Sequence, residues 1–319
     1  MAAQPDPASW RGRRVLLTGH TGFKGAWLAL WLAELGASVH GLAGPPPSVP
    51  SLYELARVAD VLDGEHEVDV RDADAVAAAI RAAQPTLVIH MAAQAIVRRS
   101  LAAPAESFAV NVTGTANVLG ALPSCTTAAL VVTSDKCYRD VESGRPMREH
   151  DPLGGKDPYS ASKAGQELVA AAFRQTVLAD RGVAVATARA GNVIGGGDWG
   201  SDRLLPDVMR AALAGEPVVL RNPDAVRPWQ HVLNPLSGYL VLAEALLDTG
   251  AGGGFDEAWN FGPAAGDERP VSWVVERVRE RWPELDARVE PDADAGKESP
   301  LLRLDSAKAR ERLEWAPRW

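Results

Sequence analysis

Val131-Val132-Thr133-Ser134-Asp135-Lys136-Cys137-Tyr138 and, beyond a polar loop, Pro158-Tyr159-Ser160-Ala161-Ser162-Lys163 are the residues on which the reading of this chain turns. The apolar run at 128–132 predicts a buried parallel strand, so Thr133, Ser134, Asp135 and Lys136 stand where it ends. Ligands of open α/β sheets bind beyond the carboxyl ends of the strands. Tyr159 and Lys163 lie four residues apart at the start of a helical segment and share one face of it. A phenol, an ammonium, a hydroxyl and a carboxylate therefore converge on one crevice, and such a set can move protons.

Upstream, residues 15–18 predict a short buried strand, followed at once by Gly19-His20-Thr21-Gly22-Phe23-Lys24-Gly25. Trp27, Leu28, Trp31, Leu32 and Leu35 then recur at helical spacing, with Gly36 as the stop. A glycine-rich turn between strand and helix is a phosphate-binding device, because the backbone can approach closely and the helix offers free N–H groups. The spacing here is G-x-x-G-x-x-G. Gly19, Thr21, Gly22, Phe23, Lys24 and Gly25 are the candidate dinucleotide-binding residues of this turn, and His20 and Lys24 either flank the pyrophosphate or are solvated.

A second strand at 38–42 runs into Ala43-Gly44-Pro45-Pro46-Pro47, with no acid before Glu54 and no arginine before Arg57. The usual ribose-binding acid is missing, so this position does not choose between NAD and NADP. Residues 67–72 predict a third strand running into a helix. Asp69, beside Val70, is there either the acceptor for an adenine amino group or a helix-capping acid. A fourth strand at 87–91 ends in Ala92-Ala93-Gln94, small residues that let a flat ring approach. His90 reads as a satisfied core histidine and Cys137 as a small buried residue.

Helices are expected at 104–122, with Asn111 inside, and at 159–180, followed by a sixth strand at 183–189. Strands alternating with helices predict a doubly wound, Rossmann-like parallel sheet. Residues 1–189 read as the dinucleotide-binding domain, with the first eleven residues a disordered lead-in. Beyond Ala190 glycine and proline become frequent and elements shorten. Residues 190–319 read as a smaller substrate-binding lobe, some of whose chain returns to the sheet. Asn234-Pro235 is expected to cap a helix through Leu247, with short helices at 271–281 and 306–313.

The 319 residues suffice for a sizeable core, and the net charge of −8 argues against a nucleic-acid or anionic-membrane partner. Two cysteines make no disulfide framework and carry no metal-ligand spacing. The start of the chain has no apolar signal region and no run of eighteen apolar residues occurs, which predicts a cytoplasmic protein. No G-x-S-x-G, H-E-x-x-H or P-loop supports a hydrolase or kinase.

With the glycine turn and the Tyr-x-x-x-Lys pair both in place, the chain resembles the extended short-chain dehydrogenases/reductases, and among them the nucleotide-sugar 4,6-dehydratases. The resemblance rests on Thr18 to Trp27 (TGHTGFKGAW), His90 to Ser100 (HMAAQAIVRRS), Thr133 to Tyr138 (TSDKCY), Asp151 to Lys163 (DPLGGKDPYSASK), Ala188 to Trp199 (ARAGNVIGGGDW) and Arg227 to Val232 (RPWQHV). Lys136 marks the branch acting on CDP-glucose, since the dTDP-glucose branch resembles Thr-Ser-Asp-Glu there. The chain ends at Trp319, where such enzymes usually continue through another helix, a departure that bears on stability or dimer packing.

The reaction this resemblance implies is redox-neutral: hydride passes from C4 of the hexose to NAD, water leaves across C5 and C6, and the hydride returns to C6. Tyr159 is then the base for the 4-hydroxyl, its phenol needing a downward shift of roughly three units, with Lys163 and the nicotinamide cation as the source. Thr133 is expected to hydrogen-bond the 4-oxygen. Asp135 is expected as the acid for the C6 hydroxyl, and Lys136 as either the base for C5 or a fixed cation opposite the enolate. Arg189, Asn192, Arg203 and Arg227 are the expected contacts of sugar and pyrophosphate. Trp199 and Trp229 read as packing residues. A homodimer is implied through the helices at 104–122 and 159–180. The rivals are a related dehydratase for a dTDP- or GDP-hexose, an epimerase or decarboxylase on the same scaffold, and a non-catalytic NAD(P) sensor. Asp135 with Lys136 argues against the epimerase, and the Tyr159–Lys163 pair against the sensor.

Overall fold

The computed structural model describes residues 2–139, 144–264, 266–290 and 303–319. Among these, β1 (Arg14–Thr18), β2 (Ser38–Ala43), β3 (Gly64–Glu67), β4 (Leu87–His90), β5 (Ala128–Val132), β6 (Ala184–Ala190) and β7 (Ala258–Phe261) form one sheet. Its order is β3-β2-β1-β4-β5-β6-β7, with every neighbouring pair parallel. The chain runs outward from β1 in both directions, so a crevice opens where β1 and β4 end side by side. This is the expected doubly wound architecture.

The strands are apolar because helices cover both faces. All five residues of β5 are buried, as are four of the five in β1. Side chains alternate between the layers: Leu17, Ile89 and Leu130 pack on one face, Leu16, Val88 and Val131 on the other. On the first face lie helices Phe23–Glu34 and Leu233–Thr249, with Trp259, Phe261 and Trp315 filling the space between. Helix Pro158–Gln175 is fixed at its start by Asp157, whose carboxylate accepts from the Ser160 amide at 2.9 Å, and by proline in its first turn.

Several expectations are corrected. The third strand lies at Gly64–Glu67, earlier than predicted; it is a half-exposed edge strand without an apolar run to reveal it. The lead-in is ordered: Trp10 is fully buried and its indole N–H donates to Glu244 at 2.5 Å. Asn234 does not cap its helix, which begins at Leu233 after Val232; its side chain instead accepts the amides of Arg318 and Trp319. The helix expected at 104–122 is interrupted by a π-helical turn at Ala109–Thr113 that buries Asn111.

The second half supplies β7 to the large sheet and also builds short pairs of its own. Val193–Ile194 pairs with Gln230–His231, Val226–Arg227 with Arg269–Pro270, and Val218–Leu220 with Ala287–Val289. Helix Leu204–Ala214 packs on the last of these through Val208.

Candidate active site

The turn after β1 is shaped for a pyrophosphate. Gly19 holds φ +76°, and a Cβ there would lie 2.7 Å from the Ala92 amide nitrogen. A Cβ on Gly25 would lie 2.1 Å from the Gly19 carbonyl oxygen. Only hydrogen at both positions lets the turn fold between the helix and the β4 loop. Ala26 makes the first intrahelical bond, to the Gly22 carbonyl at 2.8 Å, so the amides of Phe23, Lys24 and Gly25 lack intrahelical acceptors. This cradle fits a dinucleotide phosphate. Thr21 Oγ1 donates to the Gly44 carbonyl (3.0 Å), tying the turn to the end of β2.

The neighbouring loops are held from within. The Ala92 amide donates to Thr18 Oγ1 at 3.0 Å, and Ala93 beside it is half-buried. Gln94 is buried, its side chain bonded to Ile96 and Ser107, while its backbone is clamped by Asn111. Val70 is buried against Gly114. Asp69 is not a helix cap, because Asp72 takes that place; the carboxylate of Asp69 is held below the usual range by hydrogen bonds from Arg71. His20 is buried with Nε2 2.7 Å from Glu65, whereas Lys24 is half-buried and its ammonium donates to the Tyr239 hydroxyl at 3.0 Å.

At the end of β5 the backbone alternation separates two hydroxyls. Thr133 Oγ1 points inward and donates to Glu167 Oε1 at 2.5 Å. Ser134, the next residue, is close enough to the Tyr159 phenol to lower its pKa, and its Oγ donates to Asp135 Oδ1 at 3.0 Å. Thr133 is thus not the hydroxyl beside Tyr159, and Ser134 was missed. The signal was present in the sequence as adjacency alone; which of the two faces the crevice is decided by the phase of the strand.

Asp135 is buried, and among the described residues its Oδ2 has no hydrogen-bond partner. A Cβ on Gly191 would lie 2.8 Å from that oxygen, so Gly191 leaves the room the carboxyl occupies. Burial raises the Asp135 pKa, against the opposing pull of Lys136, Ser134 and Arg227. The carboxyl is thereby biased toward its neutral, proton-donating form. Lys136 follows in a short 3₁₀ turn whose start is capped by the Ser134 hydroxyl.

The phenol departs from expectation. Burial dominates and pushes Tyr159 up to about 12, with Ser134 and Arg203 lowering it and Asp135 and Asp157 raising it. The expected cation is weakened, since burial and then Lys24 bring Lys163 down to about 7. Lys24 is itself lowered to about 8 by burial and by Arg203. Cations crowded together repel one another, so the protein alone does not stabilise a phenolate.

The four expected substrate contacts separate. Arg227 is buried and close enough to Asp135 to lower its pKa. Arg203 precedes helix Leu204–Ala214, bonded to Asp198 at 3.1 Å and still near enough to act on Tyr159 and Lys24. Asn192 is half-buried just beyond β6, its carbonyl accepting from the Gln230 amide at 3.1 Å. Arg189 lies elsewhere. Its guanidinium is buried and spent on Glu167, the Tyr138 hydroxyl and the Glu149 carbonyl. It sits on a fully buried strand whose alternation turns it toward helix Pro158–Gln175. Tyr239 was unforeseen: fully buried on helix Leu233–Thr249, it faces Lys24, Asp135 and Tyr159 together.

The model of a family described as GDP-mannose 4,6 dehydratase matches residues 16–319. A CDP-glucose 4,6-dehydratase of Salmonella typhimurium is 45% identical over 98% of this chain and 89% of its own. A dTDP-glucose 4,6-dehydratase of Xanthomonas campestris pv. campestris is 28% identical over 95% of this chain and 88% of its own. Among solved structures, DesIV, the dTDP-glucose 4,6-dehydratase of Streptomyces venezuelae with NAD and TYD bound, aligns with a TM-score of 0.81 at 25% identity, covering 96% of this chain and 92% of that one.

Proposed function

The chain belongs to the GDP-mannose 4,6-dehydratase family, and from that membership we propose that it is an NAD-dependent hydro-lyase converting CDP-D-glucose to CDP-4-keto-6-deoxy-D-glucose. One observation carries the reading: the buried carboxyl of Asp135, biased toward its protonated form, touches the same Ser134 hydroxyl that faces the Tyr159 phenol. An epimerase that only oxidises and reduces C4 needs the phenol; loss of water needs the acid as well.

When bound, NAD supplies the hydride acceptor for C4 and the hydride donor for C6, and its nicotinamide adds the positive charge that the protein alone does not place beside Tyr159. Gly19, Thr21, Gly22, Phe23, Lys24 and Gly25 hold it, with Asp69, Val70, Ala92, Ala93 and Gln94 lining its adenine and ring. Tyr159 takes the proton of the 4-hydroxyl while Ser134 holds that oxygen. Asp135 gives its proton to the C6 hydroxyl, which departs as water. Lys136 acts at C5, as base or as the fixed cation opposite the enolate; C5–solvent exchange in Lys136→Ala and Lys136→Met separates these, and wild-type exchange in both removes either role. Arg203, Arg227 and Asn192 take the pyrophosphate and sugar.

The reading is tested by offering CDP-, dTDP-, UDP- and GDP-glucose and following the alkaline absorbance of a 4-keto sugar. Signal from CDP-glucose is expected, and none from any nucleotide hexose sinks the proposal. A homodimer is part of it: Leu101, Phe108 and Leu168 are 40, 40 and 62% exposed on helices Val97–Ala102, Pro104–Phe108 and Pro158–Gln175, apolar surface that a second copy would cover. A monomer in sedimentation at micromolar concentration would refute this. A cytoplasmic setting accords with free Cys125 and Cys137, and among the described residues no helix is long and apolar enough to cross a membrane.

A further inference from the structure

Behind Lys163 the structure builds a hydrogen-bonded chain whose direction is settled by counting protons. Lys163 Nζ donates to Gln166 Oε1 at 2.6 Å, and Gln166 Nε2 donates to Thr115 Oγ1 at 2.7 Å. Thr115 Oγ1 lies 3.0 Å from His90 Nε2, and His90 Nδ1 lies 2.8 Å from Thr18 Oγ1. Every side chain in this chain is buried.

Thr18 Oγ1 accepts the amides of Met91 and Ala92, both at 3.0 Å, which fills its lone pairs and sends its own proton to His90 Nδ1. The ring is neutral, its pKa brought to about 3 by burial and by Lys163, so its proton sits on Nε2 and goes to Thr115. Thr115 gives its own proton to the Asn111 carbonyl at 2.6 Å, within the π-helical turn. With His90 and Gln166 both donating to it, the Thr115 oxygen is full. Gln166 must therefore turn its NH₂ to Thr115 and its carbonyl to Lys163. A flipped amide would set oxygen against oxygen at one end and donor against donor at the other.

We propose that Gln166 is the positioning residue of Lys163: its amide, locked by Thr18, His90 and Thr115, holds the lysine nitrogen in place and keeps it protonated. The role rests on the proposed pairing of Lys163 with Tyr159. It matters because the surroundings otherwise disfavour the cation. Lys24 faces Lys163 from the cofactor-loop helix, His90 from the end of β4, Cys137 from beyond β5 and Glu167 from its own helix; burial and Lys24 drive the charge off, while Cys137 and Glu167 oppose them. The Gln166 carbonyl is the acceptor in direct contact.

The test follows Lys163 in the cofactor-free protein by NMR of ¹³Cε-labelled lysine, assigned with Lys163→Arg. Gln166→Leu is expected to lower the titration midpoint by about one pH unit, and Gln166→Glu to raise it by a similar amount. With CDP-glucose, the high-pH limb of kcat moves the same way in each variant while KM stays near wild type. A residue that only packs would change the melting temperature and leave the midpoint alone, so unmoved midpoints in folded variants overturn the proposal. If Gln166→Leu does not fold, Gln166→Glu decides: no upward shift overturns it. Moved midpoints in a protein inert toward every nucleotide hexose would support the Lys163–Gln166 role and remove the proposed reaction instead.

Discussion

The Thr133 hydroxyl gives its proton to Glu167 across 2.5 Å, while its neighbour Ser134 turns to the Tyr159 phenol. The two adjacent hydroxyls therefore face different partners. Ser134→Ala is expected to cut kcat by about 10²-fold or more with a small change in KM, the scale of one positioned polar contact to a reacting oxygen. Thr133→Val is expected to keep most of kcat and to lower stability by roughly 1.5–3 kcal/mol, the worth of a hydrogen bond to a charged group. Steady-state kinetics beside urea unfolding check both, and the opposite pattern would reverse the assignment.

Glu167 is also the partner of Arg189, Nη2 to Oε2 at 2.6 Å, with both groups buried. Burial works to raise the carboxyl, but the charge and hydrogen bonds of Arg189, aided by Thr133 and Thr187, leave it below the usual range. Arg189→Met strands that carboxylate and is expected to destabilise the fold by about 3–5 kcal/mol. A depressed folded pKa adds stability above the unfolded value of about 4.3 that is lost as pH falls through the folded one. The variant's deficit should therefore be full near neutrality and shrink in acid, as denaturation at several pH values would show.

Tyr159 is pushed up to about 12 by burial. In the cofactor-free protein its phenolate absorbance should appear only near that pH, and added NAD should move it down. Tyr159→Phe should remove the NAD-sensitive part of that absorbance, which Tyr53 shares near the same pH, bind NAD with little change, and lose turnover by about 10²–10⁴-fold. Retained turnover would end its role as base.

The acid role proposed for Asp135 uses its neutral form, which burial favours. Asp135→Asn keeps the shape and removes the proton. It is expected to lose about 10²–10⁴-fold in loss of water from C6 while still abstracting deuterium from C4-labelled substrate. Equal loss of both steps would mean that the carboxyl acts earlier, at C4.

Gly25→Ala places a methyl 2.1 Å from the Gly19 carbonyl oxygen, a backbone atom that cannot rotate aside. NAD binding measured by calorimetry should fall at least tenfold in a protein that still folds. Gly12→Ala, at a φ of +66° with nothing among the described residues within 4 Å of the added carbon, is the control for backbone strain without crowding.

Much of the fold is legible in the sequence. The apolar run at Ala128–Val132, the glycine turn at 19–25 and the Tyr159–Lys163 spacing determine a parallel sheet, a tight turn after its first strand and a tyrosine–lysine pair on one helix, because strand burial, close backbone approach and helical phase are local properties. Tertiary structure alone decided which way side chains turned and what lay behind them. Thr133 and Ser134 are equivalent in sequence and separated by a strand's alternation. Arg189 is absorbed by a glutamate 22 residues away, and Tyr239 comes 215 residues beyond Lys24 to meet it. The phenol's pKa was misjudged for the same reason: proximity in the chain announces the helpful cation, whereas the cost of burial and the repulsion among Lys24, Arg203 and Lys163 exist only once the fold has gathered them.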